Sequence, residues 1–554
     1  MSKKAVCTAL CAAVLIPGTV ATATETLIHN ITGHTSTAAS GVRDFSVLVI
    51  GDDGRVVAIG AEDLQERYRE ARQVDGRGRF VLPGLIDAHA HLSDQGFLQT
   101  SLDLAGTPSL ADALERIAEW AAANPHARFI TGRGWNQVLW DGKAFPTAAD
   151  IDRRVADRPV WLRRIDGHAG WANSRMLELA GIDDDTPDPP GGRILRDSNG
   201  KATGVLIDLA MAIVDAKIPP PEKEEIRRAY RAAVDSLTAL GLTGMHDAGI
   251  SIREAEVLIG MADNKELDMR VYAMLSDAGE NLDALEEPLV AYGDDRLDIR
   301  SVKLYADGAL GSRGAALIEP YSDDPENRGL AFLETATLEA KVRKANGKGF
   351  QVGIHAIGDL ANRQSLDVFA AVQGGKPSPL RNRIEHAQVI APGDLPRLAE
   401  LGIIAAMQPI HATSDMNMAE DRVGRERIRG AYAWRSLLDS GAVIAGGSDF
   451  PVELPNPFLG LYAAVTREDR EGRPPGGWYP EEAMTRAEAL HAFTLAAAYA
   501  AHQEARTGSL EPGKWADFII VDRDYFKVPA SAIDDIRVLE TWVGGEQVFR
   551  AGDP

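Results

Sequence analysis

His89 and His91 stand one residue apart at the end of the apolar run Gly84-Leu85-Ile86-Asp87-Ala88-His89-Ala90-His91-Leu92. In a strand, residues i and i+2 share a face, so the two imidazoles point the same way. At the carboxyl end of a barrel strand that face is where chemistry is carried. Two inward imidazoles with no cation beside them suit a divalent metal. Other candidates recur at the ends of later apolar runs. Lys303 lies in Ser301-Val302-Lys303-Leu304-Tyr305-Ala306-Asp307-Gly308, His355 and His386 close two further runs, and Asp449 follows Gly446-Gly447-Ser448. Buried, unpaired charge is costly, so placements of this kind converging on strand ends point to one site.

The elements that must position these residues are strand-like runs alternating with helical stretches, which argues for βα units and a parallel sheet. Eight core runs can be read: Val81–His91, Leu242–Asp247, Arg270–Leu275, Ser301–Asp307, Gln351–Ala356, Arg383–Gln388, Ile403–Pro409 and Ala442–Asp449. Eight such units close into a (β/α)₈ TIM-like barrel, expected here over residues 81–504. The stretch 93–221 is too long for one crossover and has strands of its own (Phe129–Thr131, Val160–Arg164), so it reads as an insertion capping the barrel mouth. Residues 24–80 and 505–554 look β-rich, with a hairpin signal at Gly51-Asp52-Asp53-Gly54 and a turn at Gly544-Gly545. They are expected to join as one small β-sandwich built from both chain ends. The fold class is thus α/β.

A chain of 554 residues with 45% apolar and 25% charged residues has the makings of a sizeable core. Its formal charge of −22 argues against nucleic acid or an anionic membrane as partner. Residues 1–23 have the layout of a secretory signal: Lys3 and Lys4, the apolar run Ala5–Ile16, then Ala21-Thr22-Ala23. A periplasmic or secreted protein without membrane insertion is expected. Cys7 and Cys11 are the only cysteines and lie inside that leader, which leaves the mature chain without disulfides or thiolate ligands. There is no G-x-S-x-G elbow, H-E-x-x-H or P-loop, so serine hydrolase, zincin and nucleotide-hydrolase readings have no support.

Taken in order, the motifs resemble those of the amidohydrolase superfamily of metal-dependent hydrolases, in the branch that includes N-substituted formamide deformylases. The matching segments are Gly84–His91, Asp166-Gly167-His168, Lys303–Arg313, His355-Ala356-Ile357-Gly358-Asp359, Ile384-Glu385-His386-Ala387 and Gly447-Ser448-Asp449-Phe450-Pro451. The resemblance implies a two-metal site. His89, His91 and Asp449 would hold one ion, His355 and His386 the other, and Lys303 would bridge them as a carbamate. An apolar site lowers a lysine pKa and supplies the neutral amine that carbamate formation needs. The alternative is a Lys303 ammonium paired with Asp307 and a mononuclear site. With only nitrogen and oxygen ligands, zinc is the default and iron, manganese or nickel are alternatives.

A hydroxide generated at the metal would then attack a polarised carbonyl, with Asp449 taking the proton and passing it to the leaving nitrogen. His168 is a second catalytic or substrate-binding candidate. Asp307, Arg313, His411 and Trp135 are candidates for binding substrate, with Trp140 beside Trp135 and His246 behind the metal ligands. The expected reaction is hydrolysis of a non-peptide carbon–nitrogen bond, of amide or N-formyl type, in a small molecule. A deaminase, a cyclic-amide hydrolase or a lactone or ester hydrolase would use the same scaffold, whereas a non-catalytic metal-dependent binding protein would require a missing ligand. A homo-oligomer is compatible with the chain.

Overall fold

The computed structural model describes residues 25–552 apart from 39–40, 166, 190 and 278–280. The expected signal sequence lies outside the described residues. Each of the eight core runs contains a parallel barrel strand, labelled here β1 (Leu85–Ala90), β2 (Leu242–Ile250), β3 (Arg270–Ser276), β4 (Leu297–Tyr305), β5 (Gln351–Ala356), β6 (Arg383–His386), β7 (Ile404–Met407) and β8 (Ile444–Gly446). Val81-Leu82-Pro83 of the first run instead pair antiparallel with the strand Phe518–Val521 in the terminal sheet. Their order in the sheet is their order in the chain. The barrel closes where β8 runs out beside β1: the Asp449 N–H donates to the His89 carbonyl at 2.7 Å, and the His91 N–H to the Phe450 carbonyl at 2.8 Å.

These strands are buried on both faces, as parallel strands under a helical layer must be. One large core fills the space between sheet and helices, with Leu85, Leu242, Val271, Val302, Ile354 and Ile384 from the strands and Tyr230, Leu258, Leu366 and Leu398 from the helices. The helices are cut where the sequence supplies caps. Ser251 accepts from the Glu254 N–H while Glu254 returns a bond to the Ser251 N–H, a capping box that starts Ile252–Asp263.

The excursion after β1 begins as a helix, Leu92–Thr100, whose Leu92 joins the barrel core. It then builds a separate mixed sheet in the order Gly192–Arg196, Ala202–Asp208, Ala169–Ala172, Val160–Arg164, Ile130–Trp135, Leu102–Asp103. That sheet has its own core, which includes Trp135, Trp140, Trp171, Leu162 and Val205. The two chain ends share one eight-stranded sheet, in the order Glu546–Arg550, Val538–Val543, Phe518–Val521, Arg72–Pro83, Thr26–Ser36, Val47–Ile50, Val56–Gly60, with Val42–Phe45 beside Thr26–Ser36. Val56 exchanges backbone bonds of 2.8 Å with Lys514 and Gly513, so the sheet rolls over on the core of Ile28, Leu48, Val81, Phe518 and Ile520. Among the described residues no helix is long and apolar enough to cross a membrane.

Candidate metal centre

The carboxyl ends of β1, β4, β5, β6 and β8 bring six side chains together. His89 is fully buried. Its Nε2 lies 3.2 Å from the Lys303 Nζ and 3.6 Å from the Asp449 Oδ1. His91, the next residue along the same face, places Nε2 3.2 Å from that same Asp449 oxygen. The His386 ring sits 4.6 Å from the His89 ring and 4.5 Å from the His355 ring, centroid to centroid. Ligand atoms of His89, His386 and Asp449 lie within 4.8 Å of one another.

Backbone geometry aims several of these groups. His386 and Asp449 adopt left-handed conformations, φ +73° and +62°, which non-glycine residues rarely do. Such local strain collects where function over-determines a conformation. The strand ends are tied by Asp87, whose carboxylate accepts from the His89 N–H at 3.0 Å, the Ser448 N–H at 3.1 Å and the Ser448 hydroxyl at 2.6 Å. Gly447 permits this close approach, because a Cβ there would meet the Asp87 Oδ1 and the His89 N at 2.7 Å.

Burial makes the His89, His355 and His386 imidazoles neutral, whereas at His91 the adjoining Asp449 carboxylate outweighs burial and raises the imidazole above its usual value. Burial pushes His89 down to about 4 and His355 to about 3, with the Lys303 charge adding to both, and holds His386 well below its usual value. Burial also lowers the Lys303 ammonium to about 8. For Asp449 burial opposes ionisation, yet the close His91 imidazole, 3.2 Å from its Oδ1, and the neighbouring imidazoles hold it below the usual carboxylate range.

Neutral imidazoles and an ionised carboxylate are the protonation states that bind a metal. The His355 Nε2 and the Asp449 Oδ1 are moreover buried with no hydrogen-bond partner. Orphaned lone pairs of this kind are expensive unless something receives them. The donor set therefore fits a divalent cation.

The outer candidates divide. His411 joins the cluster: its ring stacks on His386 at 6.0 Å, its Nε2 lies 3.7 Å from the Asp449 Oδ2, and both its nitrogens are buried without a partner. Asp307 is close but inaccessible. It accepts from the Ala316, Ile357 and Gly358 N–H groups at 2.8–2.9 Å, so it anchors the loops after β4 and β5 rather than touching substrate or pairing with Lys303. Arg313 is engaged in a fork with Asp323, at 3.2 and 2.9 Å, which occupies the Nε and Nη2 that a clamp on a substrate carboxylate would use. Trp135 is not a pocket wall. It is fully buried in the insertion's core, against Trp140 and Trp171, and its indole N–H donates to the Leu162 carbonyl. His168 sits exposed in the bend just before the insertion strand Ala169–Ala172, with Nδ1 2.8 Å from the Asp208 Oδ1.

Sequence reasoning passed over Glu385, Arg383 and Gln408. The Gln408 Oε1 lies 2.9 Å from the His386 Nδ1 and leaves the Nε2 of that ring to face the cluster. The available signal was Arg383-Ile384-Glu385, two charges at i and i+2 inside a fully buried strand.

Residues 72–549 match the model of the amidohydrolase family, Amidohydro_3. YtcJ of Bacillus subtilis (strain 168) is 33% identical over 520 residues, covering 91% of this chain and 96% of its own. The N-substituted formamide deformylase of Arthrobacter pascens is 29% identical, covering 90% of this chain and 94% of its own. The crystal structure of an uncharacterized metal-dependent hydrolase from Pyrococcus furiosus superposes with a TM-score of 0.78 at 30% identity, over 91% of this chain and all of the other. With the barrel, the cluster at its carboxyl face and this match over most of its length, the chain belongs to the amidohydrolase family.

Proposed function

We propose that this metal-dependent hydrolase cleaves a non-peptide carbon–nitrogen bond, of linear amide or N-formyl type, in a small molecule. The observation that carries the reading is the buried set of neutral imidazoles of His89, His355 and His386 around Asp449, with unpartnered atoms on Asp449 and His355. The family membership and the likeness to a named formamide deformylase support the choice of bond. In this reading His89, His91 and Asp449 hold one divalent ion, most simply zinc, and His355 and His386 hold a second. Such ions, when bound, supply Lewis acidity for a carbonyl oxygen and activate water near neutral pH.

The rest of the work falls to the chain's own groups. Lys303 is lowered to about 8, so a larger share of it is neutral near neutral pH than of an ordinary lysine. That amine can add to CO₂, forming an N–C bond and releasing a proton, and the resulting carbamate would sit between the two halves of the cluster. Asp449 accepts the proton of the attacking water on a carboxylate oxygen and returns it to the departing nitrogen, which leaves as the amine. His411 lies beside Asp449 with unpartnered nitrogens, placed to hydrogen-bond the substrate. His168, carried by the insertion, binds a substrate oxygen over the barrel mouth in this reading. The leader-like residues 1–23 support export to the periplasm or medium.

A panel of N-substituted formamides, linear N-acyl amines, cyclic amides and lactones tests the reading, assayed with metal-loaded and chelator-stripped protein. Amine release from the linear substrates, lost on stripping and restored by metal, is the expected result. Turnover of lactones with no cleavage of any carbon–nitrogen bond would refute it.

A further inference from the structure

Beneath the ligand cluster lies a buried ionic network that the reaction does not use directly. Glu385 and Arg383 share the inward face of β6, and both are fully buried. The guanidinium grips the Glu385 carboxylate as a fork, Nε to Oε1 at 2.5 Å and Nη2 to Oε2 at 2.9 Å. The same Nη2 donates to the Ala88 carbonyl on β1 at 2.6 Å, and Nη1 donates to the His246 Nδ1 on β2 at 2.9 Å. In the sheet, β6 is separated from β1 by β7 and β8 on one side and by four strands on the other. These bonds therefore cross the barrel interior.

The free side of the carboxylate faces His89: the Glu385 Oε2 is 2.5 Å from the His89 Nδ1. An ionised carboxylate only accepts, so His89 must carry its proton on Nδ1. The other ring nitrogen then presents a lone pair, and Lys303 Nζ sits 3.2 Å from it as a donor. A second strand keeps room for this arrangement. A Cβ at Gly353 on β5 would strike the Glu385 Oε1 at 2.5 Å.

We infer that Glu385 is a positioning residue for the metal site: it fixes His89 in the Nδ1–H tautomer with Nε2 aimed at the ion, and Arg383 holds Glu385 in place for that task. Glu385 is itself no ligand and no proton carrier, because both its oxygens are engaged by Arg383 and His89. A carboxylate behind a ligating histidine fixes its orientation and raises its basicity, and losing it costs on the order of 10–100-fold in metal affinity. The inference rests on the metal reading of the site and is independent of which bond is cleaved.

The test is Zn²⁺ binding by the full chain, measured by competition with a chromophoric chelator. Glu385→Gln, with metal-free folding checked by circular dichroism, should weaken the tightest ion by on the order of 10–100-fold. Glu385→Asp should recover part of that loss if the shorter carboxylate still reaches Nδ1. Affinity within about threefold of wild type in folded Glu385→Gln, well below that range, would overturn the inference. A second measurement reads the tautomer directly in the wild-type protein. Histidine-selective ¹⁵N NMR of metal-free wild type, with the His89 signals assigned through His89→Asn, should show protonated Nδ1 and unprotonated Nε2. Protonation at Nε2 would overturn the inference just as firmly. If wild type binds no divalent ion, the proposed function fails while the NMR result still decides the tautomer.

Discussion

Asp449→Asn separates the two duties assigned to that side chain. The geometry lets the amide stay in place. Its oxygen can occupy the Oδ1 position, 3.2 Å from the His91 Nε2, and its NH₂ can occupy the Oδ2 position, 3.7 Å from a His411 nitrogen that lacks a partner. No new clash or buried orphan is created, so folding and most metal occupancy should survive. What is lost is a proton acceptor, because an amide oxygen cannot carry the proton from water to the leaving nitrogen. General acid–base groups contribute on the order of 10²–10⁴-fold, which is about 2.7–5.5 kcal/mol of activation free energy. The loss should appear in kcat at least as strongly as in kcat/KM, since the group acts in the transition state rather than in binding. The assay is steady-state amine release on the best amide, with metal content measured on the same preparation. A variant with full metal and more than about a third of wild-type kcat, far outside that range, would show that Asp449 is a ligand only. The proton route would then pass through His411 or His168.

Lys303→Ala should lower metal content from about two ions toward one per chain and be partly rescued by short carboxylic acids, while ¹³C NMR of wild type grown with labelled CO₂ should show a carbamate carbon; a free ammonium in active, fully loaded enzyme would refute the bridge. Arg270→Met removes the partner of buried Asp517 at the junction of β3 with the terminal sheet, where the fork measures 2.7 and 2.9 Å, and should cost about 3–5 kcal/mol in urea unfolding of the metal-free protein. Burial opposes ionisation of Asp517 but Arg270 lowers its pKa, so its contribution is full above the ordinary carboxylate value of about 3.9 and is lost as pH falls through the lowered native one. The gap between wild type and Arg270→Met should therefore narrow on going from pH 7 to below pH ~4, and a gap that widens would contradict the sign. Expressed with export, the mature chain should begin near Thr24, and an intact Met1 on soluble cytoplasmic protein would refute the leader.

The barrel and the strand ends that carry the polar cluster were legible because they are local facts. Fully buried parallel strands must be apolar runs, and period two puts His89 and His91 on one face whatever surrounds them. A chemistry-bearing residue at the end of such a run is likewise visible one strand at a time, as with His355, His386 and Asp449. Partnership is not local. Glu385 meets His89 across 296 positions of chain and Arg383 reaches His246 across 137, so no spacing announces either pair. For the same reason a sequence cannot say whether a polar side chain is open to a ligand or already satisfied. Arg313, Asp307 and Trp135 have the chemistry to bind substrate, but Asp323, three backbone N–H groups and the insertion's aromatic core claim them first. His411 had no better pattern than these, and packing alone set it against Asp449 and His386. Sequence by itself determined which residues could do the chemistry and on which strands they ride. The tertiary structure decided which of them are left unsatisfied and facing one another, because hydrogen-bond satisfaction in a buried site is settled by neighbours distant in the chain.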